Sequence, residues 1–151
     1  MQINLAGTYA ATAFTVTNHG NGTSSITLSN DQTITGTGAN ETLSGAEGND
    51  TISGLGGNDV ISGNDGNDSL LGGDGDDFMN GGLGNDYIDG GAGNDWAFHD
   101  AATSAVTVNL GTGSVSGGAG NDTLTGIEWV GGSVYDDSLT GDGNANVLQG
   151  R

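Results

Sequence analysis

Residues 36–98 read GTGANETLS (36–44), GAEGNDTIS (45–53), GLGGNDVIS (54–62), GNDGNDSLL (63–71), GGDGDDFMN (72–80), GGLGNDYID (81–89) and GGAGNDWAF (90–98). These are nine-residue frames that follow one another without a slip. Position one is always Gly, and position four is Gly except at Ala39. Position six is Glu41, then Asp50, Asp59, Asp68, Asp77, Asp86 and Asp95; position eight is apolar throughout. A repeat of this kind decides the architecture before any local propensity does.

Nine residues match no helical period, and glycine at this density would cost a helix about 1 kcal/mol at each occurrence. The frame predicts a six-residue turn, where Gly, Asn and Asp supply positive φ, followed by a three-residue strand. In such a strand position eight faces one way and positions seven and nine the other, so the apolar column points inward. Two frames make one coil. The expected fold is all-β, a right-handed parallel β-roll (β-solenoid). Strands 42–44, 60–62, 78–80 and 96–98 should stack in one sheet, and 51–53, 69–71 and 87–89 in the other.

Outward from the repeat, GGAGNDTLT (117–125) returns in phase, and GSVYDDSLT (132–140) and GDGNANVLQ (141–149) are degenerate copies after a six-residue insertion. Residues 99–116 hold no Asp column and read as a strand-like interruption. Residues 1–35 contain FTVT (14–17) and SSITLS (24–29) around NHGNG (18–22), a hairpin that caps the roll or ends a preceding module, with His19 in its turn. The segments are therefore 1–35, 36–98, 99–116 and 117–151. The chain stops at Gln149-Gly150-Arg151 in mid-phase, as a piece of a longer protein would.

Composition removes other classes. The 151 residues include 32 Gly, no Cys, 19 acidic residues and one basic residue, for a net charge of −18. Disulfide scaffolds and thiolate zinc sites are out. Nucleic acid and anionic lipid lack the basic patch they need. No apolar run reaches membrane-span length, and Met1–Ala10 lacks the basic and long apolar regions expected of a cleaved signal peptide. Only 32% of residues are apolar, so a large core is excluded as well. Such a chain is disordered unless something neutralises and staples it.

The stacking identifies that agent. Residues 18 apart lie at the strand spacing of ~4.7–4.9 Å, which places Glu41, Asp59, Asp77 and Asp95 on one edge and Asp50, Asp68 and Asp86 on the other. Unit charges at that distance repel by about 0.9 kcal/mol even in water. Ca²⁺ holds oxygens at ~2.3–2.6 Å, so it spans the gap between two rungs, whereas Mg²⁺ bonds are too short. Each ion would take carboxylate oxygens from stacked frames and carbonyl oxygens from the glycine turns, with Gly45, Gly54, Gly63, Gly72, Gly81 and Gly90 as candidates. About four to five ions are expected in the main roll. Asp122 is a further candidate, and Asp137 stays open.

The frame G-G-x-G-x-D-x-U-x resembles the RTX (repeats-in-toxin) hemolysin-type calcium-binding nonapeptide repeat, closely over 36–98 and loosely over 117–149. GIEWVGGSVYDDSLTG (126–141) also resembles an element found between repeat blocks of large secreted members. The resemblance implies a calcium-binding β-roll, extracellular location and type I secretion from Gram-negative bacteria. Glu41, Ala39, Tyr135 and Asn146 depart from the pattern.

Other readings are weaker. A flexible acidic linker needs neither a fixed Asp column nor apolar position eight. An EF-hand needs flanking helices and a Glu at its twelfth position. Ice binding would want a regular Thr beside the Asn of position five. His99, Asp100 and Ser104 lack triad spacing and a nucleophile elbow, so no enzyme is expected. Phe78, Trp96 and Phe98 should share the outer face of one sheet. Either Ala101–Ser116 covers that face, or it binds a glycan or surface partner. The expected protein is a monomeric, non-catalytic calcium-folded module, alone or as the accessory piece of a secreted enzyme.

Overall fold

A computed structural model of the chain describes residues 13–18 and 24–151. All regular elements among them are strands. β1 (Ala13–Asn18) and β2 (Ser24–Ser29) form an antiparallel pair. His19 and the rest of that turn lie outside the described residues. The roll then begins with β3 (Thr33–Thr35), β4 (Thr42–Ser44), β5 (Thr51–Gly56), β6 (Val60–Asp65) and β7 (Ser69–Asp74). It continues through β8 (Phe78–Leu83), β9 (Tyr87–Ala92) and β10 (Trp96–Phe98).

Even and odd frames separate into two parallel sheets with an 18-residue register. Ile52 pairs with Leu70 and Leu70 with Ile88; Ile61 pairs with Met79 and Met79 with Ala97. Position eight forms the core between the sheets, with Ile52, Ile61, Leu70, Met79, Ile88 and Ala97 no more than 1% exposed. Each 18-residue coil thus hides two apolar side chains, each worth about 1.5–3 kcal/mol at most. That is a thin core. No helix among the described residues is long and apolar enough to cross a membrane.

Three features differ from the sequence expectation. First, β5 to β9 are six residues long, because the ladder continues through positions one to three, as in Leu55↔Gly73 and Asn64↔Gly82. Only positions four to six form the turn. The chain bends without leaving the ladder because position two takes positive φ, at Gly73 (115°), Gly82 (108°) and Gly91 (96°). Leu55 (73°) and Asn64 (78°) adopt it too. Asn64 is compensated by amide bonds to the Ser44 hydroxyl and the Gly45 carbonyl; Leu55 is 53% exposed. Leu55→Gly is therefore expected to stabilise the calcium-loaded fold by about 1 kcal/mol, the left-handed penalty less glycine's added chain entropy. Urea unfolding checks this.

Second, Ala101–Ser116 does not cover the aromatic face. It forms β11 (Val106–Asn109) and β12 (Ser114–Gly117), an antiparallel hairpin that joins the other sheet, where Val106, Val108 and Val115 turn into the core. The apolar alternation was legible, but it fills the interior. The chain then returns through β13 (Thr123–Thr125), which pairs with β9, and β14 (Trp129–Gly131), which pairs with β10. β15 (Ser138–Thr140) pairs with β11, and β16 (Val147–Gln149) with β14.

Third, residues 126–131 are not an insertion. Their register with β10 places Gly126, Glu128 and Val130 at positions four, six and eight of a frame that lacks its first three residues.

Candidate metal centre

The turns carry two hydrogen-bond ladders of opposite sense. At position six the carboxylate reaches back one coil: Oδ1 of Asp68, Asp77, Asp86 and Asp95 accepts from the backbone N–H of Asp50, Asp59, Asp68 and Asp77 at 2.7–2.9 Å. At position five the side chain reaches forward, as Asn40, Asn49 and Asn67 Oδ1 accept from the N–H of Asn58, Asn67 and Asn85 at 2.8–2.9 Å. Adjacent turn N–H groups are thereby satisfied by side chains above and below. The Asn of position five acts as a structural rung, a role the sequence reading missed.

The other carboxylate oxygen is left over. Oδ2 of Asp59, Asp68, Asp77, Asp86 and Asp95 is buried and accepts no hydrogen bond from any described residue. A buried polar atom without a partner is costly. Each lies against the first glycine of its own frame, which cannot carry a side chain. A Cβ on Gly63 would strike Asp68 Oδ2 and come 2.5 Å from the Gly81 carbonyl oxygen of the next coil; Gly54 and Gly72 stand likewise to Asp59 with Gly72 O and to Asp77 with Gly90 O. A carboxylate oxygen and a carbonyl oxygen converge where only glycine leaves room.

Asp50 shares the Gly45 cradle with Gly63 O, but its Oδ2 also accepts from Ala46 N–H at 2.8 Å. The Gly45 carbonyl itself accepts from the Asn64 amide. Glu41, with its longer arm, bonds Thr37 N–H and hydroxyl and stays half-buried beside Gly36.

Burial sets the electrostatics. Desolvation first, and neighbouring carboxylates second, hold Asp68 and Asp77 above the ordinary carboxylate range, against the opposing N–H bonds. The same causes push Asp95 to about 6 and Asp86 to about 7. Among the described residues no three His, Cys, Asp or Glu side chains converge on one point. Any ion here must draw on backbone oxygens for most of its shell. One unpartnered carboxylate oxygen beside carbonyl oxygens, with no nitrogen or sulfur donor, suits a hard cation of calcium's coordination habit. Gly63→Ala should therefore remove at least one bound ion without imposing positive φ, as calcium stoichiometry by calorimetry would record.

Beyond the main roll the columns continue by other means. Asp122 is buried 36 residues after Asp86, and its Oδ1 accepts Asp86 N–H at 3.0 Å because the β11–β12 hairpin joins the sheet beyond β13 and leaves β13 to pair directly with β9. Burial again raises its carboxyl. Glu128 Oε2 takes Asp95 N–H at 3.0 Å, so it is the next rung after Asp95. It was missed because the frame was assumed to start with glycine, although G-x-E-x-V was the signal. Asp137 bonds Val106 N–H and Ser133, and Asn146 Oδ1 takes Asp142 N–H.

His99 and Asp100, adjacent in sequence, turn to different partners. His99 is 3% exposed, with Nδ1 3.1 Å from Gly131 O and Nε2 3.9 Å from Asp122 Oδ2, and burial pushes its imidazole below the usual value. Asp100 points outward to Arg151 at 2.8 Å.

No curated protein matches the chain. The family model of the RTX calcium-binding nonapeptide repeat (4 copies) matches residues 35–70, 62–97 and 109–126. Those segments cover the stacked turns of the main roll and that of Asp122, and more than half of the residues, and the chain belongs to the RTX calcium-binding nonapeptide repeat family.

Proposed function

We infer that this chain is a structural module of a secreted protein, non-catalytic by itself, whose folding is driven by calcium. The observation that carries the reading is the column of buried Oδ2 atoms lacking a donor. Its proposed ligands are the carboxylates of Asp50, Asp59, Asp68, Asp77, Asp86 and Asp95 with the carbonyls of Gly45, Gly54, Gly63, Gly72, Gly81 and Gly90. Glu41 and Asp122 extend the set at the two ends, and about four to five ions load the main roll. The proposed division is a 1–35 hairpin segment, the 36–98 roll, the 99–116 interruption and the 117–151 degenerate repeats.

Bound calcium supplies the positive charge that the stacked carboxylates require. The chain's own residues do the rest. Backbone N–H groups aim each carboxylate through Oδ1, and the first glycine keeps the space beside Oδ2 open. Position eight brings successive coils into register. Because these groups meet only in the roll, ion binding free energy becomes folding free energy. Coils touch only their neighbours, so loading should be cooperative along the axis. The family's typical secretion supports an extracellular setting. With calcium scarce inside the cell the chain stays extended for type I export, and it folds outside.

Far-UV circular dichroism during a calcium titration, with magnesium as control, tests this. The expected result is a sigmoidal coil-to-β transition with calcium alone. A chelated protein that is already fully β at neutral pH, or an equal response to magnesium, would refute the reading.

A further inference from the structure

The outer face of the six-stranded sheet of β4, β6, β8, β10, β14 and β16 is unlike the rest of the surface. Its position-seven column runs Thr42, Val60, Phe78, Trp96, Trp129 and Val147 in direct register. The hydroxyls of Ser44 and Ser62 and the half-buried amide of Asn80, whose Oδ1 faces inward, flank this column at position nine, and Phe98 widens it. No residue at these positions is charged, in a chain of net charge −18. Trp96 lies at the centre, with its ring 5.1 Å from Phe98, 6.3 Å from Phe78 and 5.3 Å from Trp129. The Arg151 guanidinium lies 5.7 Å over Phe98, while Phe78 is 44% and Val60 49% exposed.

Size and charge select the occupant. Six strands make a strip roughly 24 Å long and three residues, about 10 Å, wide. That footprint of roughly 250 Å² falls far below the ~800 Å² per partner of a stable protein interface. A second copy or a folded protein is thus a poor match, and a linear polymer is a good one. The surrounding negative charge disfavours polyanions. Aromatic rings beside hydroxyl and amide groups suit a chain that has apolar C–H faces and hydroxyl edges.

We propose that this strip docks an extended neutral polysaccharide of the β-1,4-linked glucosyl class. The proposal rests on the calcium-folded reading, since the column exists only when the coils are stacked. The test uses the whole 151-residue chain in excess calcium, with cellohexaose and chitohexaose as probes and polygalacturonate as the anionic control. Titration calorimetry and tryptophan fluorescence give the affinity, dichroism reports folding, and sedimentation reports self-association.

Saturable binding of at least one neutral hexamer is expected, weakened roughly tenfold or more in Trp96→Ala and in Phe78→Ser. Phe78 is 44% exposed and the serine keeps its strand position, so that variant keeps the test valid if Trp96→Ala unfolds. Folded wild type that binds neither hexamer sinks the proposal. Variants that bind as well as wild type, or tighter binding of polygalacturonate, do the same. Dimerisation abolished by Phe78→Ser would assign the strip to a second copy instead. A chain that stays unfolded in calcium would count against the calcium reading, which dichroism separates from loss of binding.

Discussion

Asp77→Asn is expected to shift the two states of the protein in opposite directions. The amide keeps an oxygen to accept from Asp59 N–H, a bond that Asp77 Oδ1 makes at 2.8 Å. It removes a buried charge that desolvation and the Asp59 carboxylate disfavour. In chelator the variant should therefore show more β structure than wild type. In calcium it should need on the order of tenfold more ion for half-folding, because a charged ligand has been replaced by a weaker neutral one. Asp77→Ala also strands the Asp59 N–H, which adds about 1–3 kcal/mol of destabilisation in both states. Parallel dichroism titrations of the three proteins distinguish a ligand from a simple structural carboxylate. Loss of stability of similar size with and without calcium in Asp77→Asn would leave Asp77 only a structural role.

Acid should partly replace calcium. The carboxyls of Asp86 and Asp95 are pushed to about 7 and about 6 in the folded chain, against an ordinary value of 3.8. A group whose folded value lies above its unfolded one contributes stability that is full below the unfolded value and is lost as pH rises through the folded one. For these two the window is therefore about pH 4 to 7, with Asp68, Asp77 and Asp122 adding in the same direction. His99 opposes them. Its lowered value makes it favour the folded chain when neutral, so its contribution falls as the solution is acidified. Asp137 and Asp142, held below the ordinary carboxylate range by hydrogen bonds, oppose only in stronger acid, so above pH 5 five raised carboxyls stand against one imidazole. In chelator, β signal should grow as pH falls from 7.5 to 5, still above the pI of about 4.1. In calcium the opposite is expected, a rising midpoint, because protons compete for the same oxygens. A chelated protein whose β content is flat across that range would show that the apo carboxylates are solvated.

Much of the fold and the candidate site can be read from residues 36–98 because the repeat is strictly local. Nine-residue spacing dictates which side chains share a column, and the 18-residue register found for Ile52, Leu70 and Ile88 follows from it. The apolar column, the stacked Asp column and the need for Gly beside it follow too. Less legible was how each carboxylate divides its two oxygens. That depends on N–H groups one coil away, and only stacking reveals that Asp68 Oδ1 is taken by Asp50 N–H while its Oδ2 is left without a donor.

After residue 98 the periodicity is interrupted until residue 117, and pairing over longer distances takes over. The β11–β12 hairpin leaves the coil path and returns antiparallel, and a one-dimensional period cannot encode that departure. It lets Asp122 stack on Asp86 across 36 residues, and Glu128 on Asp95 across 33. Composition, frame and column chemistry were thus properties of the sequence itself, since each depends on neighbours at one constant spacing. The rung order beyond Asp95, the open aromatic strip and the orphaned Oδ2 atoms were decided by tertiary structure, because buried valines and unpaired strand edges can be satisfied only by partners that the repeat does not specify.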